Sequence, residues 1–203
     1  MSAPGLRALA LLICLAAVCA CAPVRTRETP ASLATQTARE AQLAGRTHWA
    51  LSAHIFVSDG ADNSGSGDLD WKQSGEHYDF VLRAPTGKTW KLSGDGGHAV
   101  LEGIDPQPIS GSDPERLLRE RLGWEVPVAD LSAWVRGMRR PPEQRSALQF
   151  NAQDLPAVLD QDGWRIEYRD WFADKNPPVP RKVFASRGEA RVKMSIDSWS
   201  FGD

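Results

Sequence analysis

The sequence predicts a mainly β protein: an antiparallel sheet of short strands with one apolar face, which short helices cover. Two observations favour this fold class. Apolar and polar residues alternate over most of the chain, in short stretches separated by Gly-, Pro- and Ser-rich turns. The chain also contains 8 Trp and 14 Pro, which suit a sheet with large apolar contacts better than a helical bundle. A barrel or half-barrel of this size can enclose one ligand cavity, and the residue pattern leaves open whether its apolar side chains surround a cavity or fill a core.

Composition narrows the class of protein. The 203 residues include 24 Lys and Arg against 26 Asp and Glu, a near balance that argues against a nucleic-acid-binding protein. Hydrophobic residues make up 41% of the chain and charged residues 25%, as in ordinary globular domains. We therefore expect one globular domain, over residues 31–203, that acts as a monomer.

The first 30 residues predict export and lipidation. Arg7 precedes an apolar run over residues 8–22, which is too short to cross a bilayer comfortably and is typical of a signal peptide. The run ends in Val18-Cys19-Ala20-Cys21, which resembles the lipobox of bacterial lipoproteins. We expect residues 1–20 to be a lipoprotein signal peptide, Cys21 to carry the lipid, and residues 21–30 to form the lipidated N-terminus and a tether. Because Ala22 rather than Asp follows the cysteine, the lipoprotein-sorting rule predicts the outer membrane.

The elements up to residue 101 follow in order. Thr29 and Pro30 predict a helix start, and residues 31–43 are rich in helix formers, with Leu33, Ala34, Ala38, Ala41 and Leu43 on a modest apolar face. Residues 49–57 alternate as a one-sided strand, and residues 58–67 look like turns. The alternating apolar residues of the next four strands predict an antiparallel meander: Leu69 and Trp71; Tyr78, Phe80 and Leu82; Trp90 and Leu92; Ala99 and Leu101.

The middle of the chain predicts two short amphipathic helices, and the remainder returns to strands. The first helix has a cap at Ser112-Asp113, proline at its first position and a stop at Gly123. The second is expected to be capped by Asp130 and to stop at Gly137. Further strands are predicted over residues 147–150, 164–168, 182–185 and 190–199.

No catalytic residues, metal site or cofactor motif is predicted. The four histidines lack zinc-ligand spacing, and neither a nucleophile motif nor a nucleotide-binding loop is present. A small cluster of Arg136, Arg139, Arg140 and Arg145 suits lipid headgroups or an acidic partner, but an ordinary exposed surface is the favoured interpretation. The sequence therefore favours a binding protein over an enzyme.

An ordered set of motifs resembles the LolB family of outer-membrane lipoprotein receptors. The motifs begin with Trp49-x-Leu51, Leu69-x-Trp71-x-Gln73 and Ala84-Pro85-Thr86-Gly87. They continue with Val126-Pro127-Val128, Leu131-x-x-Trp134-Val135-x-Gly137, Leu159-x-Gln161-x-Gly163-Trp164, Val192-x-Met194-x-Ile196 and Trp199. The set covers nearly all of the expected mature chain.

The resemblance implies an unclosed antiparallel β-barrel in which helices cover an apolar cavity. It also implies a function: to accept triacylated lipoproteins from a LolA-like periplasmic carrier and insert them into the lipid of the outer membrane, without nucleotide or other cofactor. Twelve apolar residues are the predicted acyl-chain cavity: Leu51, Ile55, Trp71, Phe80, Leu82, Trp90, Leu92, Leu118, Leu122, Trp134, Ile166 and Met194.

Two departures from the family pattern stand out. The family often has Gly-Arg where this chain has Ala53-His54. Pro85, Thr86 and Gly87 match a loop whose tip commonly carries an apolar residue for membrane insertion, so that either Trp90 assists Thr86 or insertion proceeds differently. Two other interpretations of the function remain open. The protein could be a lipocalin-like lipoprotein that binds a small apolar ligand, or a structural lipoprotein of envelope assembly.

Overall fold

A computed structural model describes residues 29–60, 63–141 and 146–202 of the chain. Within these ranges lie three helices, α1 (Pro30–Ala44), α2 (Pro114–Leu122) and α3 (Val128–Trp134). The strands are β1 (His48–Ser58), β2 (Ser64–Ser74), β3 (His77–Arg83), β4 (Thr89–Gly94), β5 (Ala99–Glu102), β6 (Ile109–Gly111), β7 (Ser146–Phe150), β8 (Pro156–Gln161), β9 (Trp164–Phe172), β10 (Val179–Arg187) and β11 (Ala190–Phe201). The predicted signal peptide, Cys21 and most of the tether lie outside the described residues.

All eleven strands form one antiparallel sheet, in the order β6-β5-β4-β3-β2-β1-β11-β10-β9-β8-β7. The sheet is not closed, because β6 and β7 lie at its two edges and do not pair with each other. The central strands are long, and on β1 every second side chain from Trp49 to Val57 is buried. The predicted fold class, a mainly antiparallel sheet that is unclosed and carries short helices, is confirmed.

Three strands differ from the prediction in where they begin or in being present at all. Strand β2 begins at Ser64, inside the stretch that was predicted as turns. The prediction failed there because Gly65 and Gly67, residues that are typical of turns, lie in the strand. Strand β8 was not predicted, since its first four residues are all buried and show no alternation. Strand β6, of only three residues, was missed as well.

Helix α3 begins at Val128, two residues before the predicted cap. The residue at its cap position is Pro127, and no side-chain hydrogen bond caps the helix. The Asp130 carboxylate, which the sequence predicted as the cap, instead lies inside the helix and forms an ion pair with Arg140, with Oδ1 2.7 Å from Nη1.

Helix α1 packs across one end of the sheet with its polar face inward. Its buried residues are Ser32, Gln36, Arg39 and Leu43, while Leu33 is 39% exposed and the alanines predicted to be buried are exposed. Arg39 donates to the carbonyls of Arg136, Gly137 and Pro178. Of the predicted apolar face, only Leu43 is buried. The prediction was wrong for Leu33 and the alanines because this helix rests on backbone carbonyls that need donors.

Glu40 anchors α1 to the segment after α3. Its carboxylate accepts hydrogen bonds from the side chain and backbone N–H of Arg139, with Oε2 2.6 Å from Nη2. Burial raises the pKa of Glu40, but the bonds from Arg139 and Gln36 outweigh it, so the pKa lies below its usual value. Because the folded pKa is lowered, the stabilisation is present above the unfolded pKa and is lost as pH falls through the folded pKa.

We expect Glu40→Gln to lower the free energy of unfolding by about 2 kcal/mol at neutral pH, between the values for exposed and buried ion pairs. Urea denaturation of both proteins at pH 7 and at a pH below the usual pKa of glutamate measures this. The difference from the wild-type protein should shrink as the pH falls. The exposed Glu120 on α2 provides the matched control, since Glu120→Gln should leave stability unchanged. Equal effects of the two substitutions would contradict the role of Glu40.

Candidate apolar binding cavity

An apolar cavity of about 70 Å³ lies between one half of the sheet and helices α2 and α3. Its wall comes from strands β1 to β5 and β11, and its cover from α2, α3 and the segment between them. The lining residues are all hydrophobic: Ile55, Val57, Leu69, Trp71, Phe80, Leu82, Trp90, Leu92, Leu101, Leu118, Leu122, Trp124, Val126, Val128, Leu131 and Met194. Such a lining suits hydrocarbon and offers no hydrogen-bond partner to a polar ligand.

The sheet side of the cavity follows from strand alternation and register. Ile55 on β1 lies opposite Met194 on β11, and Trp71 on β2 lies opposite Phe80 on β3, so their side chains share one face. The rings of Trp71 and Phe80 meet edge to face, with centroids 4.5 Å apart. Towards α1 the wall ends in packed indoles, because Trp49 contacts both Trp71 and Trp199, at centroid distances of 4.9 and 5.6 Å.

The cover is held in place by well-formed helix ends. Asp113 caps α2, and its Oδ1 accepts from the N–H of Arg116 at 3.0 Å. Gly123 ends the helix in the left-handed region, with φ of 71°, where glycine is free of strain. Leu118 and Leu122, one turn apart, face the cavity.

Polar contacts join α3 to the sheet, and a half-buried carboxyl lies on α2. Burial of Glu115 raises the pKa of this carboxyl. The N–H groups of Trp134 Nε1 and Arg140 both donate to Oε1 of Gln161, at 3.0 and 2.9 Å. Gln161, only 2% exposed, thereby fixes the end of α3 to β8.

Of the twelve predicted cavity residues, the structure brings nine together around this cavity: Ile55, Trp71, Phe80, Leu82, Trp90, Leu92, Leu118, Leu122 and Met194. The other three do not line it. Leu51 lies between Trp71 and Trp199 in register, Trp134 packs near Trp164, and Ile166 lies between Leu159 and Ala185. All three belong to the filled core, because the cavity occupies only the part of the apolar face that α2 and α3 cover.

Seven lining residues were missed: Val57, Leu69, Leu101, Trp124, Val126, Val128 and Leu131. Alternation places Val57, Leu69 and Leu101 on the same face as their predicted neighbours, so that signal was available. The other four lie in α3 and the segment between the helices, whose side of contact depends on how the cover is oriented.

Most arginines of the basic cluster, which was considered as a surface for headgroups or an acidic partner, form contacts within the protein. Arg136 donates to the carbonyl of Leu43 at the end of α1 and lies over the ring of Trp49. Arg139 is bound to Glu40 and Arg140 to Asp130. Arg145 lies outside the described residues. The three described arginines therefore do not form a free basic patch.

The loop that contains Pro85, Thr86 and Gly87 is an exposed turn between β3 and β4. The N–H of Gly87 donates to Ala84 O at 3.0 Å, and Gly87 has φ of 84°. Trp90, the residue considered as an assistant to Thr86, turns inward, lines the cavity and meets Trp124 edge to face. The tip of the turn carries the exposed side chains of Pro85 and Thr86, and neither is a large apolar side chain.

In the described part of the chain, no group of three or more His, Cys, Asp or Glu side chains is arranged to hold a metal ion. Among the same residues, no helix is both long enough and apolar enough to span a membrane.

An unclosed antiparallel half-barrel with a hydrocarbon-lined cavity under two helices defines a class of protein that binds apolar ligands. The chain belongs to the LolB family, since the family model "Outer membrane lipoprotein LolB" matches residues 47–199. Outer-membrane lipoproteins LolB of Xanthomonas campestris and Xylella fastidiosa are 36% identical over 170 residues and 35% over 168. These alignments cover 81% of this chain and 78% or 76% of the relatives.

The fold has a solved counterpart. A LolA superfamily protein from Nitrosomonas europaea superposes with a TM-score of 0.54, over 85% of this chain and 94% of that protein. At 9% sequence identity, the similarity concerns the fold alone.

Proposed function

We propose that this protein is the outer-membrane receptor that accepts lipoproteins from a LolA-like periplasmic carrier and inserts them into the membrane. The observation that carries the proposal is the cavity, whose sixteen lining residues are all hydrophobic, in a chain of the LolB family. The cargo enters the cavity by its acyl chains, and no catalytic group is required.

The energetics explain why a cavity is needed. Three acyl chains carry roughly 40 methylenes, and at about 0.8 kcal/mol each their exposure to water would cost on the order of 30 kcal/mol. Transfer must therefore run from cavity to cavity without exposing the chains. Because no nucleotide takes part, direction comes from affinity, and a difference of about 1.4 kcal/mol per step gives a tenfold bias.

We further propose that Cys21 anchors the receptor through lipid, that residues 21–30 tether it, and that the turn at Pro85, Thr86 and Gly87 contacts the bilayer. The exposure of this turn supports the last assignment. Its tip carries only the small ring of Pro85 and the polar Thr86, which favours contact with headgroups over deep insertion into the hydrocarbon.

Handover of cargo tests the function directly. A soluble variant that lacks residues 1–20 and carries Cys21→Ala is mixed with a carrier of the same organism, preloaded with a labelled lipoprotein. We expect the label to move to this protein without ATP, and affinity pull-down of each partner measures the distribution. Retention by a competent carrier, together with small lipids that copurify with this protein, would instead indicate a lipocalin-like protein. Retention without such lipids would indicate a structural role.

A further inference from the structure

The side chain of Trp124 fills part of the cavity. It follows Gly123 in the segment between α2 and α3, is only 7% exposed and belongs to the lining. Its ring meets that of Trp90 edge to face, with centroids 5.5 Å apart and planes at 88°. This indole is the largest side chain that the cover contributes to the cavity.

A glycine in β2 provides the seat for this indole. A Cβ added to Gly65 would lie 2.9 Å from Cη2 of Trp124 and closer still to Cζ2. Any side chain at position 65 would therefore displace the ring, since interiors do not tolerate such overlap. Gly65 is not in the left-handed region, so the turn geometry that usually calls for glycine does not apply. The contact with Trp124 explains why a strand of this sheet has glycine here.

The cavity is small for the ligand that the proposed function requires. Its volume is about 70 Å³, whereas binding sites for small organic molecules measure roughly 300–1,000 Å³. Room for an acyl chain must come from side chains that leave the cavity, and the covering segment is not part of the sheet's hydrogen-bond ladder. Trp124 combines the largest volume in the cover with a position outside a helix or strand.

We propose that Trp124, seated on Gly65, occupies the place of an acyl chain in the empty receptor and thereby sets the affinity for acyl chains. This inference rests on the proposed function. An acyl chain that binds must first displace the indole. The apparent affinity is therefore the intrinsic affinity multiplied by the fraction of molecules in which the cavity is open. The same competition helps release, because the indole returns to its seat as the chain leaves for the bilayer.

The Gly65→Ala substitution tests the proposal. The mature chain from residue 21, with Cys21→Ala, is titrated with pyrene-labelled palmitate, and pyrene fluorescence measures binding. We expect Gly65→Ala to bind about tenfold more tightly, which corresponds to about 1.4 kcal/mol. Gly45→Ala is the matched control, since its added Cβ would meet nothing nearer than 3.6 Å and the residue has a helical φ of −68°. This control should bind the probe like the parent protein.

A second variant separates displacement of Trp124 from a general effect on β2. Trp124→Ala should also bind the probe more tightly, and adding Gly65→Ala to it should cause no further change. Unchanged or weaker binding by Gly65→Ala, or weaker binding by Trp124→Ala, would overturn the proposal and make Trp124 part of the wall. Since no carrier or lipoprotein takes part, a protein that follows this pattern but fails the handover experiment would refute only the proposed function.

Discussion

Replacement of Leu118 by Glu is expected to abolish acceptance of lipoproteins while the fold stays intact. Leu118 lies on α2 and faces the cavity, where an ionised carboxylate would lose its hydration beside hydrocarbon, a loss of several kcal/mol. In the empty protein, we expect this nine-residue helix to shift outward far enough for water to reach the carboxylate. With cargo bound it cannot, so the penalty falls on binding. The handover assay measures acceptance, and circular dichroism measures folding.

Two matched variants give this experiment its control. Leu159 on β8 is fully buried in the filled core, and Leu159→Glu should unfold the protein because nothing there can move aside. Leu118→Met should accept cargo normally, since it keeps the apolar volume. If Leu118→Glu folds and still accepts lipoproteins, the acyl chains bind elsewhere. If it unfolds as Leu159→Glu does, the space beneath α2 behaves as ordinary core.

The parts of the fold that the sequence predicted are those in which local pattern and tertiary environment agree. Strand β1 alternates because one face is buried and the other is not, and its predicted range lies within the observed one. Helix α2 carries its own cap and its own stop, so its limits were visible as well. In α1, by contrast, the existence and extent of the helix followed from the sequence, but the buried face did not. The buried Arg39 donates hydrogen bonds to carbonyls that lie over 90 residues away in the chain, and no local sequence pattern reveals such contacts.

The prediction of the cavity residues also succeeded where local pattern was sufficient and failed where tertiary contacts decide. Alternation assigned Ile55, Phe80 and Leu92 to the apolar face, and they line the cavity. It also assigned Leu51 and Ile166 to that face, where they lie in filled core. Whether an apolar side chain meets a void or a neighbour depends on where the covering helices lie, and that position is set by contacts such as those of Gln161 with Trp134 and Arg140.

The exposed β3–β4 turn and the start of α1 lie at opposite ends of the strands. Ser32, near the start of α1, donates to Asp154 at 2.6 Å, in the turn between β7 and β8. The antiparallel register places this turn at the end of the sheet away from the turn at Thr86. A strand as long as β1, 11 residues, extends about 34 Å. The eight residues from Ala22 to Thr29 reach about 28 Å at most. With steeply inclined strands, the proposed anchor at Cys21 and the turn can therefore contact one bilayer only if the tether has nearly its full reach. A shorter tether would require the strands to lie almost flat along the membrane.

Deletion of residues 23–27 is therefore expected to abolish insertion of cargo while acceptance continues. The three remaining steps from Cys21 to Thr29 reach about 10 Å, so the turn at Thr86 would meet the bilayer that holds the proposed anchor only if the strands lay almost flat on it. A tether that is too short for most orientations leaves the turn a very low effective concentration at the bilayer. Lipidated protein in liposomes, supplied with loaded carrier, separates the two steps, since cargo on the receptor and cargo in the bilayer differ in protease protection. Replacing residues 23–27 with five Gly and Ser residues keeps the length and should preserve insertion. Insertion at the normal rate by the shortened protein would show that the turn need not reach the membrane.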